Sequence, residues 1–311
     1  MDAVAVLLSE PERLSLRRLD LSPPGEADVV VDVEWSGIST GTERLLWTGR
    51  MPNFPGMGYP LVPGYESVGC VAQAGPQSGR HVGQRVFVPG ASCFGAVRGL
   101  FGGAASRLVV PGARAIPIQE SLEERGVLLA LAATARHAMA GAAPPDLVIG
   151  HGVLGRLLAR IAMAEGGAPP TVWERDASRA EGAEGYRVLM PEQDARRDYR
   201  AIYDASGDAE ILDTLIARLA PGGEVVLAGF YAERLHFSFP PAFMREARLR
   251  AAAEWKPADL AAVSRLVSEG RLSLDGLITH CRLAADAEGA YRTAFADPAC
   301  LKMILDWRTT P

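Results

Sequence analysis

Residues 147–162 read "LVIGHGVLGRLLARIA": an apolar run, glycines at 150, 152 and 155, then apolar residues at helical spacing. No other stretch limits the fold as strongly. A strand that turns on glycine into a helix points free N–H groups and the positive end of the helix dipole at the turn, which makes a cradle for phosphates. In that geometry Gly150 makes the turn, Gly152 lets backbone approach a pyrophosphate, and Gly155 permits close helix–strand packing. Val153 and Leu154 supply the first helical turn. Three glycines alone carry little weight in a chain with 33 of them. Their place between an apolar strand and a helix gives the motif its force.

Strand and helix alternate around this loop. "DLVIG", "PTVWE", "YRAIYDASG" and "EVVLAGF" read as strands, and "LGRLLARIAMAEG" and "AEILDTLIARLAPGG" as helices. Such alternation predicts a doubly wound parallel sheet, hence an α/β fold. The spacing in "LEERGVLLALAATARHAMAG" predicts a further helix closing on Gly141. Residues 1–120 have another texture: "DVVVDVEW", "SVGCVAQA", "QRVFVPG" and "SRLVVPG" are short apolar runs between Gly, Pro and Ser, predicting an all-β domain. After Trp255, "PADLAAVSRLVSEG" and "DAEGAYRTAF" read as helices, and "CLKMILDW" as a strand returning to the first domain. The expected division is 1–120, 121–256 and 257–311.

Glu174 ends the strand after the glycine loop, where a carboxylate accepts hydrogen bonds from ribose hydroxyls and repels a 2′-phosphate. NAD is therefore favoured over NADP, although Arg175 and Arg179 beside it could hold a phosphate. Ser206, in "DASG" at the end of a later strand, is a further cofactor-contact candidate.

Composition excludes several other classes. A net charge of -5 with no basic block argues against nucleic-acid binding. The N-terminus lacks a basic leader, and "GVLLALAATA" stops at Arg136 before spanning length, so a cytoplasmic protein without a transmembrane segment is expected. Four scattered cysteines point to free thiols.

The segments "EWSGISTGTE", "PLVPGYESVG", "GQRVFV", "FGGAASRLVVP", "ATARHA", "GHGVLG", "DASG", "APGGEVVLAGF" and "LITH" follow the order seen in medium-chain dehydrogenases/reductases, and nearly the whole chain resembles that family. The resemblance implies a GroES-like β domain for the substrate, a Rossmann domain, an active cleft between them and a homodimer. In zinc-dependent members a Cys and a His bind catalytic zinc at the places of Ser39 and Tyr65. Of the four structural-zinc cysteines only Cys93 has a counterpart. Neither metal is expected, because serine and tyrosine hydroxyls are poor zinc ligands, and the alternative of a rearranged site using Glu66, His137 or His151 has no ligand pair at recognisable spacing. More closely, "VEWSGISTGTERLLW", "MPNFPGMGYPLVPGYESVG" and "FPPAFMREARLR" resemble a zinc-less branch acting on bacteriochlorophyllide-type tetrapyrroles. That branch oxidises a C3 1-hydroxyethyl group to acetyl.

Candidate catalytic groups are Ser39, Thr40, Thr42, Tyr65 and Glu66, with Glu43 beside them. Tyr65 either hydrogen-bonds the substrate oxygen while Thr40 or Thr42 relays the proton, or it fills the space of the lost zinc and packs on substrate. As a base it would need a positive neighbour to lower a pKa of about 10. Glu43 and Glu66 either join this chemistry or form a buried ion pair with an arginine such as Arg44. His137 and His151 read as structural, with His151 able to add a hydrogen bond near a pyrophosphate. Met51, Phe54, Met57 and Tyr59 form an apolar loop suited to a wide aromatic macrocycle, or to packing within the domain or a dimer. Two other functions fit the same residues: a zinc-less quinone or enone reductase, and a catalytically silent nucleotide-binding protein.

Overall fold

The computed structural model describes residues 1–310 in two units, Met1–Ala130 with the segment from Asp275 onward, and Leu131–Leu274. The first unit begins with β1 (Asp2–Glu10), β2 (Arg13–Asp20), β3 (Asp28–Ile38) and a short helix α1 (Thr42–Trp47). It continues through β4 (Leu61–Val62), β5 (Ser67–Ala74), β6 (Arg85–Val88), β7 (Arg98–Gly99), β8 (Arg107–Pro111) and β9 (Ile116–Pro117).

β3 is the spine of this unit. Its β-branched run Val29, Val30, Val31 and Val33 is buried, as expected of a strand covered on both faces. It pairs antiparallel with β5 and β8. The seven-stranded sheet that results is completed at its far edge by the last part of the chain. A four-stranded sheet in the order β2-β1-β4-β7 lies in the same unit, and one hydrophobic core joins the two.

The second unit follows the alternation read from the sequence. α2 (Leu129–Met139) precedes β10 (Leu147–Ile149), α3 (Val153–Ala164), β11 (Thr171–Trp173), β12 (Arg187–Leu189), β13 (Tyr199–Asp204), α4 (Leu212–Ile216), β14 (Leu219–Leu227), α5 (Phe239–Met244), β15 (Arg248–Ala251) and α6 (Pro257–Ser268). The six strands are all parallel, in the order β12-β11-β10-β13-β14-β15. The order reverses between β10 and β13, and sheets of this kind bind nucleotides at such a switch point. α3 buries Leu157, Leu158 and Ile161 completely, each contributing about 1.5–3 kcal/mol relative to exposure.

Two elements differ from the sequence reading. The helix expected from Leu122 begins as a 3₁₀ segment, Glu120–Leu128, in which Glu123 has φ 46°, and that residue stops one α-helix from running through. "AEILDTLIARLAPGG" is helical only over Leu212–Ile216, because β14 already starts at Leu219, which pairs with Tyr199. The register shifts across Pro221, Gly222 and Gly223, so these residues form an irregularity inside a strand rather than a helix stop.

The chain then returns to the first unit through β16 (His280–Leu283), α7 (Ala287–Ala296) and β17 (Met303–Asp306). β17 pairs antiparallel with β3 over Trp35–Ile38. Trp307, fully buried, donates its indole N–H to Ser36 Oγ at 2.9 Å. The C-terminal strand is thus an integral part of the sheet that carries the residues after Ile38.

Candidate functional site

In the second unit the glycine loop has the predicted form. Gly150 has φ 91°, its N–H donates to the Trp173 carbonyl, and Gly152 caps α3. A Cβ on Gly155 would lie 1.8 Å from the Gly150 carbonyl oxygen, so only glycine lets α3 pack this closely on the loop. Nothing lies within 4 Å of the Cβ position of Gly152, which leaves that stretch of backbone open to a ligand. Val153 is buried beneath the turn and Leu154 half-buried. This cradle of open N–H groups, with space beside Gly152, fits a dinucleotide pyrophosphate.

Glu174 sits at the end of β11 with its carboxylate fixed from both sides. Oε2 accepts the His151 N–H and Oε1 the Asp176 N–H, each at 2.9 Å. Each oxygen keeps a further lone pair, so the group still has acceptor capacity for ribose hydroxyls. Arg175 is largely exposed and paired with Asp208 at 3.3 Å. Ser206 follows β13 beside Gly150 and is held by Asp204, which accepts both its N–H and its hydroxyl.

His151 is wholly buried. Its Nδ1 lies 2.6 Å from the Arg179 carbonyl, which can only accept, so the proton is on Nδ1 and Nε2 accepts from the Tyr186 hydroxyl at 2.8 Å. Burial pushes its pKa down to about 4, keeping the ring neutral. Arg156, also buried, donates to the carbonyls of His151, Arg179, Glu181 and Gly182, tying the segment after β11 to the glycine loop. The sequence reading missed this brace; an arginine inside the apolar run of a buried helix was its only signal.

In the first unit the hydroxyls converge where β3 runs into α1. The Tyr65 hydroxyl donates to Ser39 Oγ at 2.7 Å and lies 3.4 Å from Thr42 Oγ1. Ser39 is buried, Thr42 and Tyr65 are partly exposed, and the Tyr65 ring meets Phe101 edge-on at 5.2 Å. Thr40 is exposed, and the threonine hydroxyl beside Tyr65 is that of Thr42. Burial, aided by the charge of Glu66, pushes the Tyr65 phenol well above its ordinary pKa.

Beneath these hydroxyls lie two fully buried carboxyl groups. Glu66 accepts from Lys302 Nζ through both oxygens, at 3.0 and 2.8 Å, and Lys302 also donates to the Ile38 carbonyl at 3.3 Å. The buried partner is therefore Lys302 and not an arginine such as Arg44, which is exposed. Gly37 makes room for the pair: a Cβ there would come 2.1 Å from Glu66 Oε2. Glu43 accepts the Ser39 N–H at 3.0 Å and shares a 2.5 Å hydrogen bond with Tyr291. Its pKa is pushed up to about 7, chiefly by burial. Lys302 had a signal in the sequence, being one of only two lysines in the chain and set in the apolar run "CLKMILDW".

This arrangement does not fit a zinc ion. Ser39 and Tyr65 are hydrogen-bonded to each other, and an ammonium already engages both oxygens of Glu66. Among the described residues no group of three His, Cys, Asp or Glu side chains is placed to hold a metal. The loop expected to face a macrocycle is divided: Met51 is buried in the core, Met57 and Tyr59 pack against it, and Phe54 is exposed. Tyr59 also donates its hydroxyl to the Leu46 carbonyl.

Residues 25–120 match the alcohol dehydrogenase GroES-like domain. The chain is 59% identical to a 2-desacetyl-2-hydroxyethyl bacteriochlorophyllide A dehydrogenase of Cereibacter sphaeroides, covering 100% of both chains. It is also 59% identical to the protein of the same name from Rhodobacter capsulatus, covering 99% of each. Among solved structures, a short chain alcohol dehydrogenase of Escherichia coli CFT073 complexed with NADH superposes with a TM-score of 0.83 at 22% identity, over 98% of this chain and 99% of that one.

Gly155→Ala should drive the methyl group into the Gly150 carbonyl, cost about 1–3 kcal/mol of stability and weaken dinucleotide binding about tenfold or more. Calorimetric titration of the folded variant checks this. Affinity equal to wild type would mean that the loop does not carry the phosphates.

Proposed function

Because the chain belongs to the bacteriochlorophyllide dehydrogenases, a branch of the medium-chain dehydrogenases/reductases with a GroES-like domain, we propose that it oxidises the 1-hydroxyethyl group of a bacteriochlorophyllide to acetyl with NAD. The observation that carries this reading is the 59% identity over the full chain. It favours a dehydrogenase over the enone reductase and the silent nucleotide-binding protein.

Oxidation of a secondary alcohol removes a hydride from carbon and a proton from oxygen. NAD supplies the hydride acceptor when bound. Gly150, Gly152, Val153, Leu154 and Gly155 would hold its pyrophosphate, and Ser206 adds a hydroxyl at the same crevice. Glu174 would accept from the adenosine ribose. Its fixed carboxylate opposes a 2′-phosphate, and Arg175, the nearest cation in sequence, is paired with Asp208.

The proton falls to the first unit. Burial and the charge of Glu66 raise the phenol's pKa, which disfavours a free Tyr65 phenolate as the base. The hydrogen bonds favour a relay instead: Tyr65 accepts the carbinol proton as its own hydroxyl proton moves to Ser39 Oγ and the Ser39 hydroxyl proton is released to water, with Thr42 supporting the phenol. No phenolate forms, and the residues of the missing metal site act as a hydroxyl chain. Phe54, exposed, and Met57 and Tyr59, partly exposed, offer surface for the macrocycle, and Met51 anchors the loop in the core.

A homodimer is the proposed assembly. β15 is an edge strand, and Leu249 on it, with Phe239, Phe243 and Met244 on α5, exposes apolar surface beside an unpaired edge. No helix among the described residues is long and apolar enough to cross a membrane, in keeping with the proposed cytoplasmic location.

Purified protein with NAD and 3-(1-hydroxyethyl)bacteriochlorophyllide should shift the pigment's absorption as the ketone forms. NADP should serve at least about tenfold less well in kcat/KM, the scale of one unfavourable charge contact. No shift with either cofactor would reject the reading. Tyr65→Phe should lower kcat by about 10²-fold or more while pigment binding persists. Turnover near wild type would leave Tyr65 a packing group.

A further inference from the structure

The relay does not use Glu43, yet Glu43 is the most conspicuous buried group beside it. It is fully buried, and among the described residues no cation is ion-paired with it. The ammonium of Lys302, which precedes β17, is taken by both oxygens of Glu66 and by the Ile38 carbonyl. From the segment before β5 come Glu66 and Tyr65, from α7 comes Tyr291, and on α1 itself Arg44 is exposed. The two groups that hydrogen-bond Glu43 are neutral: the Ser39 N–H at 3.0 Å and the Tyr291 hydroxyl at 2.5 Å. Two carboxyl groups thus share one ammonium, and the one without it lies against the backbone of Ser39, the acceptor of the Tyr65 hydroxyl.

A buried carboxylate with a like charge nearby and no counter-ion takes up a proton rather than stay ionised. We propose that Glu43 is a positioning residue that works as a neutral carboxylic acid, fixing Ser39 from below and linking the turn after β3 to α7. The charge matters for the reaction too. As the substrate O–H bond breaks, negative charge develops on the carbinol oxygen, and a second carboxylate under the site would oppose it. A proton on Glu43 removes that opposition. Burial, with a smaller contribution from the charge of Glu66, raises its pKa, while the Tyr291 and Ser39 hydrogen bonds and, more weakly, the charge of Lys302 act the other way. This consequence for turnover rests on the alcohol oxidation proposed above. The neutral state of Glu43 does not.

The sign of the pH effect follows from a pKa that is 4.5 for the ordinary side chain and about 7 in the folded protein. Over that interval the folded state holds a proton that the unfolded state has released, so stability is lost as pH rises and levels off above the folded pKa. The test compares melting temperature against pH for wild type, Glu43→Gln, which imitates the neutral acid, and Tyr291→Phe, which removes a bond that lowers the pKa. Wild type should lose melting temperature relative to Glu43→Gln between about pH 5 and 7, and Tyr291→Phe should move that loss to higher pH. Parallel curves for wild type and Glu43→Gln would overturn the proposal, and should Glu43→Gln fail to fold, an unshifted curve for Tyr291→Phe would do so. In turnover of the pigment alcohol, Glu43→Ala should lose about tenfold or more in kcat/KM, and Glu43→Gln should recover most of it with a flatter alkaline side. An alkaline fall in Glu43→Gln as steep as wild type's counts against the proposal. Divergent stability curves without any pigment turnover would support the neutral acid and reject the substrate.

Discussion

The ion pair between Glu66 and Lys302 is the contact on which the first unit's architecture and chemistry both depend. The partners lie 236 residues apart in sequence and are buried to within 2%. Removing both charges from water costs several kcal/mol per ion, and only close geometry with further hydrogen bonds offsets it. Here Lys302 meets both oxygens of Glu66 and a backbone carbonyl, and Gly37 leaves the carboxylate the space. Loss of either partner would strand a buried charge at a cost of about 3–5 kcal/mol. The pair therefore fastens the C-terminal return to β3 and β5 directly beneath the hydroxyls, and it makes fold and site one problem.

The same contact explains why a fold otherwise known for zinc chemistry can do without the metal. A carboxylate that would stand behind a cation is already neutralised, by a residue of the protein's own core. A second carboxyl group, on Glu43, has no such partner and is brought toward neutrality by protonation. Above them Tyr65, Ser39 and Thr42 form a hydrogen-bonded hydroxyl set whose phenol is held protonated by its surroundings. In the proposed oxidation, chemistry that a Lewis acid performs by stabilising alkoxide falls to concerted proton movement along these oxygens.

What could be read from the sequence was what depends on neighbours in the chain. The glycine loop was legible because strand, turn and helix are contiguous and each glycine has a local steric reason. The parallel sheet followed from alternation for the same cause. The hydroxyl cluster was legible through family spacing around Ser39 and Tyr65. Lys302 and Tyr291 were not, since they reach Glu66 and Glu43 across 236 and 248 residues, and only the tertiary fold brings them there. The scarcity of lysine was a clue of a different kind, compositional and without a partner attached. "LAPGG" misled because a glycine pair after an apolar helical pattern looks like a helix stop, whereas pairing with β13 draws it into β14.

The central claim is that this site moves a proton through hydroxyls over a protein-borne cation, without a metal. It is tested most directly by exhaustive chelation of the purified protein, followed by metal analysis and assay with NAD and the hydroxyethyl pigment. Full activity at a metal content far below one equivalent is the predicted result. Activity that falls on chelation and returns on adding zinc would contradict it.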